Sequence, residues 1–282
     1  MRLANFTNPE SLMTHFHRHR FGAATGALAL FCALFWAGPV ARADGEEERP
    51  HVDAKATVKP IEDMRVGLPS TATLVYDTSA TFHLAGMPIT MHSRTTTSWK
   101  RDGDHYDAHL HMETGGFDQT SQGELHAEGF VTPQRYSETK PFHSAEVVTI
   151  DWPHEKIQFG KDPAVKSPAA GAQDRLSLQF ELVRQRQKYP DRFAPKSTHD
   201  VLLIGTHDVD PWKFTVSVEE SVPTGMGAMR ATRYSAHRNV RGVEETMDIW
   251  LGADVDWMPI RIKMVDRNNS VIDSVLQKAD VS

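Results

Sequence analysis

"WKRDGDHYDAHLHM" (99–112) sets the structural class of this chain. Asp102-Gly103 divides two stretches of alternating polarity, and Asp-Gly in that position is a strong hairpin signal because glycine accepts the positive φ of a tight turn. Beyond the turn Tyr106, Ala108, Leu110 and Met112 share one parity, and His105, Asp107, His109 and His111 share the other. Successive side chains on a strand point to opposite faces, so this is a strand with one dry and one wet side.

The same pattern recurs in both directions. Alternating segments at about 118–127, 130–138, 144–151 and 155–160 come before a central stretch, and others at about 199–206, 211–221, 227–237, 244–251, 258–265 and 270–277 come after it. In one of them Ile260, Ile262 and Met264 alternate with Arg261 and Lys263. Turn signals every 8–14 residues or so suit an antiparallel sandwich or barrel. No repeat of a length that builds solenoids or propellers is present.

The exception is "AGAQDRLSLQFELVRQRQKY" (170–189). Leu176, Leu178, Phe180 and Leu182 alternate as a strand would, but Leu176, Phe180 and Val183 also share a helical face, and no turn residue follows until Pro190. The segment predicts a helix over 173–189, with Gly171 in the preceding turn and Asp174 as its structural cap, worth about 1 kcal/mol. Adjacent residues on a helix do not face each other, so Asp174 and Arg175 are no catalytic couple. Arg175 is left to reach a strand carboxylate or an anionic ligand group, and is a ligand-binding candidate.

The N-terminus points to export. A basic patch, His17 to Arg20, precedes an apolar run at 21–40, then Ala41-Arg42-Ala43 and an acidic stretch from Asp44 to Glu48. This order describes a signal peptide, 1–43, cleaved after Ala43. Met13 would give a signal of more ordinary length than Met1. The alternative is an inner-membrane anchor formed by an uncleaved 21–40 segment, since about 20 apolar residues span a bilayer. Residues 44–69 are charged and proline-bearing and read as a flexible arm; 70–282 reads as one β-rich domain.

Composition narrows the chemistry. The single cysteine, Cys32, lies in the signal, so the mature chain has no disulfide and no thiol nucleophile. Removing 43 of 282 residues leaves 239, with 27 basic and 36 acidic side chains and a net charge of −9. That balance disfavours nucleic acid as a partner. No serine-hydrolase elbow, zinc-protease helix, phosphate loop or calcium loop occurs. The histidines of 105–111 sit on the wet face, and the outer members are too far apart to share an ion, so neither a metal nor a cofactor is expected. Trp152, Trp212 and Trp250 are candidates for lining an apolar cavity. Trp250 is the most distinctive, with parity opposite to Met247, Ile249 and Leu251.

"LPSTATLVYDT", "WKRDGDHYDAHL", "QTSQGEL", "TPQRYSE", "GAQDRLSLQFEL", "WKFTVSVEESV" and "DIWLGADVDWMPIRIKM" occur in the order and spacing of the domain-of-unknown-function 3108 family. The resemblance covers about residues 68–277 and is most specific at "GAQDRLS" and in the closing segment. It implies an exported Gram-negative bacterial protein without an assigned activity, built as a strongly curved open barrel or spiral-like sheet around one helix. That architecture is similar to periplasmic lipoprotein carriers. The histidines of 105–111 depart from the family's usual polar residues there.

The expected molecule is therefore a monomeric, mainly β periplasmic protein, with about a dozen antiparallel strands curved around one α-helix. Its expected function is non-enzymatic binding of a lipid or another apolar or amphipathic ligand in the concave sheet. The alternatives are a cell-envelope structural or interaction module that contacts an envelope protein, and a hydrolase assembled from scattered residues.

Overall fold

A computed structural model describes residues 67–84, 86–125, 130–140, 143–166, 170–240, 242–266 and 268–282. The expected signal at 1–43, the alternative anchor and the arm up to residue 66 lie outside the described residues. No helix among the described residues is long and apolar enough to cross a membrane.

The described residues are mainly β, with one large, curved, open sheet of fifteen strands and one α-helix. The first meander runs β1 (Thr71–Leu84), β2 (Met87–Asp102), β3 (His105–Met112), β4 (Phe117–Leu125), β5 (Val131–Thr139), β6 (Glu146–Asp151), β7 (Lys156–Phe159) and β8 (Val165–Lys166). Then come β9 (Gln173–Asp174) and α1 (Ser177–Lys188). The second meander runs β10 (Thr198–Ile204), β11 (Val209–Thr224), β12 (Gly227–Val240), β13 (Val243–Gly252), β14 (Pro259–Val265) and β15 (Val271–Val281). Pairing of β1 with β15 joins the two meanders, leaving β8 and β9 as the edges. Every described pairing is antiparallel except β9 with β10.

The strands follow the expected alternation. In β3, Tyr106, Ala108 and Met112 are buried, and His105, Asp107 and His111 are exposed. The Asp102-Gly103 turn is present, with Gly103 at φ 59°. At the β4–β5 register shift a side chain on Gly123 would meet the Thr132 carbonyl oxygen at 2.1 Å, so only glycine fits. The strand count exceeds a dozen because β8 and β9, two residues each, are too short to carry a period.

The helix begins later than 173. Gln173 and Asp174 pair with Leu203 and Ile204 as strand β9, and Asp174 Oδ1 accepts the N–H groups of Leu176 (2.9 Å) and Ser177 (2.7 Å). Asp174 thus caps the helix from three residues ahead of Ser177, its first residue, and helix boundaries vary by a residue or two between assignments. All residues of 177–184 are buried. A helix buried on every side needs no single apolar stripe, and with Gln179, Glu181 and Arg184 enclosed beside the apolar residues, Leu176, Leu178, Phe180 and Leu182 mimic a strand. Phe180 stacks on Trp99 (4.5 Å), which stacks on Tyr106 (4.9 Å), so α1 fills the space in front of β2 and β3.

Candidate functional site

The two flanks of the open sheet, β5–β6 on one side and β9–β10 on the other, meet across α1. At the β9 end of the helix they are laced by polar side chains. Ser121 on β4 donates to Asp174 Oδ2 (2.5 Å), and Tyr106 lies 2.9 Å from Ser121 Oγ. With the serine proton committed to the carboxylate, the tyrosine hydroxyl is the donor to Ser121. Burial pushes Asp174 up to a pKa of about 6 against the opposing pull of its bonds to Ser121, Ser177 and Leu176. Ser121 is fully enclosed, so no substrate atom reaches it in this arrangement.

Beside this lies Glu138, 2% exposed, held by Gln119 Nε2 (3.0 Å) and the Tyr136 hydroxyl (2.9 Å). Arg175 Nη1 and Lys140 Nζ each approach it at 3.5 Å. Lys140 also pairs with Glu146 (3.1 Å), which faces His207 of the β10–β11 turn at 3.3 Å. Desolvation works against the Glu146 charge, but Thr206, Lys140 and His207 outweigh it and lower its pKa. Gly205 lets the turn lie on Arg175, because a methyl group there would come within 3.3 Å of Arg175 Nη2 and 2.5 Å of Asp208 Oδ1. The Arg175 side chain retains 40% of its surface on the outer side of this seam.

Along the face of the helix that carries Leu178, Glu181, Leu182 and Gln185 the same flanks separate into a cleft of about 310 Å³. Leu178, Glu181, Leu182 and Gln185 of α1 form its floor, residues 198–201 of β10 one wall, and Phe130 and Gln173 part of the other. Glu181 is held by Arg184 (2.8 Å) and by the Val131 N–H (2.9 Å). Gln173 donates to the Val131 carbonyl (2.7 Å), and Trp152 Nε1 to the Pro133 carbonyl (2.7 Å). Side chains thus occupy the β5 edge. On β10, β9 covers only Leu203 and Ile204, and no described strand pairs with the outer edge of 198–202.

The four candidate ligand residues are not brought together, and none lines the cleft. Arg175 stands in the seam. Trp250 lies between Arg233 and Arg261 on the neighbouring strands, 5.7 and 5.0 Å from its ring, and donates to Glu220 (2.7 Å). Arginine stems therefore cover its outward face. Trp212 is buried beneath Arg238 (4.7 Å), and Trp152 is half-buried at the β6–β7 turn. On the wet face His109 and His111 both approach Asp118 Oδ1, at 3.2 and 2.8 Å. Among the described residues no group of three or more histidine, cysteine or acidic side chains could hold a metal ion.

Glu138, Gln119 and the cleft were not anticipated. A signal existed for the first two: Glu138 has the parity of buried Tyr136, and Gln119 that of buried Ser121. Polar side chains on a dry face need partners, and these two found each other.

A curved open sheet with a helix filling its concavity defines a β-barrel-like protein. The chain belongs to the family of proteins of unknown function DUF3108, which it matches over residues 76–276. Its fold is similar to that of a beta-barrel-like protein of the domain of unknown function DUF1849 from Brucella abortus. That likeness has 12% identity and a TM-score of 0.50, covering 77% of this chain and 100% of the other. A candidate exported protein with a YmcC-like fold from Bacteroides fragilis matches at 8% identity and a TM-score of 0.27, over 77% and 98% of the two chains. No curated protein matches.

Proposed function

We propose that this is an exported, non-enzymatic binding protein of the cell envelope, and that its binding surface is the cleft between β5 and β10. The ligand this surface suits is an extended amphipathic polypeptide. The observation that carries the reading is the unpaired edge of 198–202 standing over a floor that is half apolar and half polar. Exposed strand edges recruit added strands, with main-chain hydrogen bonds supplying affinity and alternate side chains supplying choice.

The filled interior argues for this reading over carriage of an acyl chain. Helix α1 occupies the concave side, and a cleft of about 310 Å³ is at the small end of ligand sites, roughly 300–1,000 Å³. Organic extraction of the purified mature protein followed by mass spectrometry is the direct test, with thermal midpoints measured across fatty acids and synthetic decapeptides of alternating polarity. The expected result is no bound lipid, no shift with fatty acids and a rise with the alternating peptides. A stoichiometric co-purifying lipid would overturn it in favour of a carrier, and indifference to both panels in favour of an envelope module without a ligand.

A further inference from the structure

Residues 78–93, "TSATFHLAGMPITMHS", contain no aspartate, glutamate, lysine or arginine, although 24% of the chain is charged. They form the distal part of the β1–β2 hairpin, which runs past both neighbouring strands. β15 pairs with β1 only as far as Thr81, and β3 with β2 only as far as Thr95. The first charges stand at the base of this projection, where Asp77 and Arg94 are opposite each other across the strands and Arg94 meets Glu113 at 3.6 Å.

The projection has two unlike faces. Ala80, Phe82, Met87, Ile89 and Met91 continue the parity of buried Tyr76 and Trp99. A belt of hydroxyls, Thr78 to Thr95 (2.8 Å) and Thr78 to Ser274 (2.9 Å), separates this apolar patch from the core. Met87, beside the turn, is 65% exposed, and Phe82, Ile89 and Met91 are half-buried. The opposite face carries Thr81, His83, Thr90 and His92, with the two threonine hydroxyls 2.8 Å apart.

We propose that this hairpin docks the protein on a lipid surface, lying flat in the interface with Phe82, Met87, Ile89 and Met91 toward the acyl chains. The surface is separate from the cleft and goes beyond the function proposed above. Size selects the occupant. At a strand spacing of about 4.8 Å and a rise of about 3.3 Å, a patch two strands wide and about six residues long covers roughly 200 Å². Two copies face to face would therefore bury roughly 400 Å², well short of the about 1,200 Å² of a stable protein interface. A bilayer asks for no matching shape, and flexible thioethers such as Met87 and Met91 adapt to it. The depth is limited too. No described strand pairs with the outer edges of 82–84 and 87–92, and their backbone groups need water, so the hairpin lies in the interface and does not cross it.

Co-sedimentation of the mature chain with phosphatidylcholine vesicles tests this. The unaltered protein is expected to bind, and equally from about 0.1 to about 1 M salt, because residues 78–93 hold no acidic or basic side chain to be screened. Met87→Asp should weaken binding at least about tenfold with an unchanged thermal midpoint. Met226→Asp, at the exposed β11–β12 turn, should leave binding as it was. Absence of binding, or an equal response to the two substitutions, would overturn the proposal. So would binding confined to phosphatidylglycerol vesicles and lost in salt, which would mark an electrostatic contact elsewhere. A concentration-dependent dimer in light scattering that Met87→Asp abolishes, without vesicle binding, would assign the hairpin to a second copy and overturn it as well.

Discussion

The buried seam and the open cleft between the sheet's flanks bring together the same elements and treat them oppositely. At the β9 end, carboxylates from β5, β6 and β9 meet a guanidinium, an ammonium, hydroxyls and amide donors, and every polar group central to the contact has a partner. Along the cleft, β5 spends its edge on Glu181, Gln173 and Trp152, but the edge of 198–202 turned away from β11 has no described strand paired to it. Buried polar atoms are costly unless paired, whereas an edge beside solvent can remain open. A sheet need not close by backbone hydrogen bonds when side chains lock the contact between its flanks.

Removing the centre of the lock should have the largest effect. Glu138→Ala leaves Gln119 and the Tyr136 hydroxyl buried without their acceptor and Arg175 without its closest carboxylate, a loss of roughly 3–5 kcal/mol. The measurement is the denaturant midpoint at constant slope. Gln185→Ala on the cleft floor provides the contrast, and a loss at Glu138 no greater than the loss there would dissolve the distinction between seam and cleft.

The next effect is in pH. Asp174 has a folded pKa of about 6, above the roughly 3.9 of an unfolded aspartate, so the folded state holds an extra proton between these values. Its contribution to stability is greatest below about pH 4 and falls as pH rises to 6, by about 3 kcal/mol, then stays level. An asparagine amide at this position would keep an acceptor for Leu176 and Ser177 and could donate to Ser121. Asp174→Asn should therefore flatten this part of the profile without unfolding the protein. Parallel profiles for the two proteins across pH 4–6 would show that Asp174 is not the buried proton site.

Much of the fold was legible from side-chain parity, because a strand with one wet face records its orientation in every second residue. His105 to Met112 are an example, and so are Ile260 and Ile262. The start of the helix was not legible, since Gln173 and Asp174 pair with Leu203 and Ile204, thirty residues away, and local propensity carries no trace of that. Arg175 was left in the sequence to reach a strand carboxylate or a ligand anion, and which carboxylate it meets, Glu138, depends on how the flanks come together. Trp250 was the reverse: its odd parity was real, but two arginines on neighbouring strands, invisible until the register is known, cover its ring. The cleft combines segments near 130, 170–185 and 198–201, and no single stretch announces it.

Arg175→Ala should cost about 1 kcal/mol, well below Glu138→Ala. Lys140 remains 3.5 Å from Glu138, and a side chain with 40% of its surface in water loses less when removed than one enclosed. Combining Arg175→Ala with Lys140→Ala removes both cations, and the double variant should lose more than the sum of the two single losses. Strict additivity would mean that the two charges act on Glu138 independently rather than substituting for one another.

The smallest effect belongs at the rim. His207 pairs with Glu146 at 3.3 Å but is 68% exposed, so His207→Ala should change stability by no more than about 0.5 kcal/mol. That small value is informative because His207 sits on the turn that brings β10 against β6. If the flanks are held by Glu138 and Asp174, the turn stays in place without it, and exchange at the neighbouring amides of the turn should not accelerate. A loss comparable to that of Glu138→Ala would instead place the lock at the solvent-facing rim, and the contrast between a buried seam and an open cleft would have to be redrawn around Glu146.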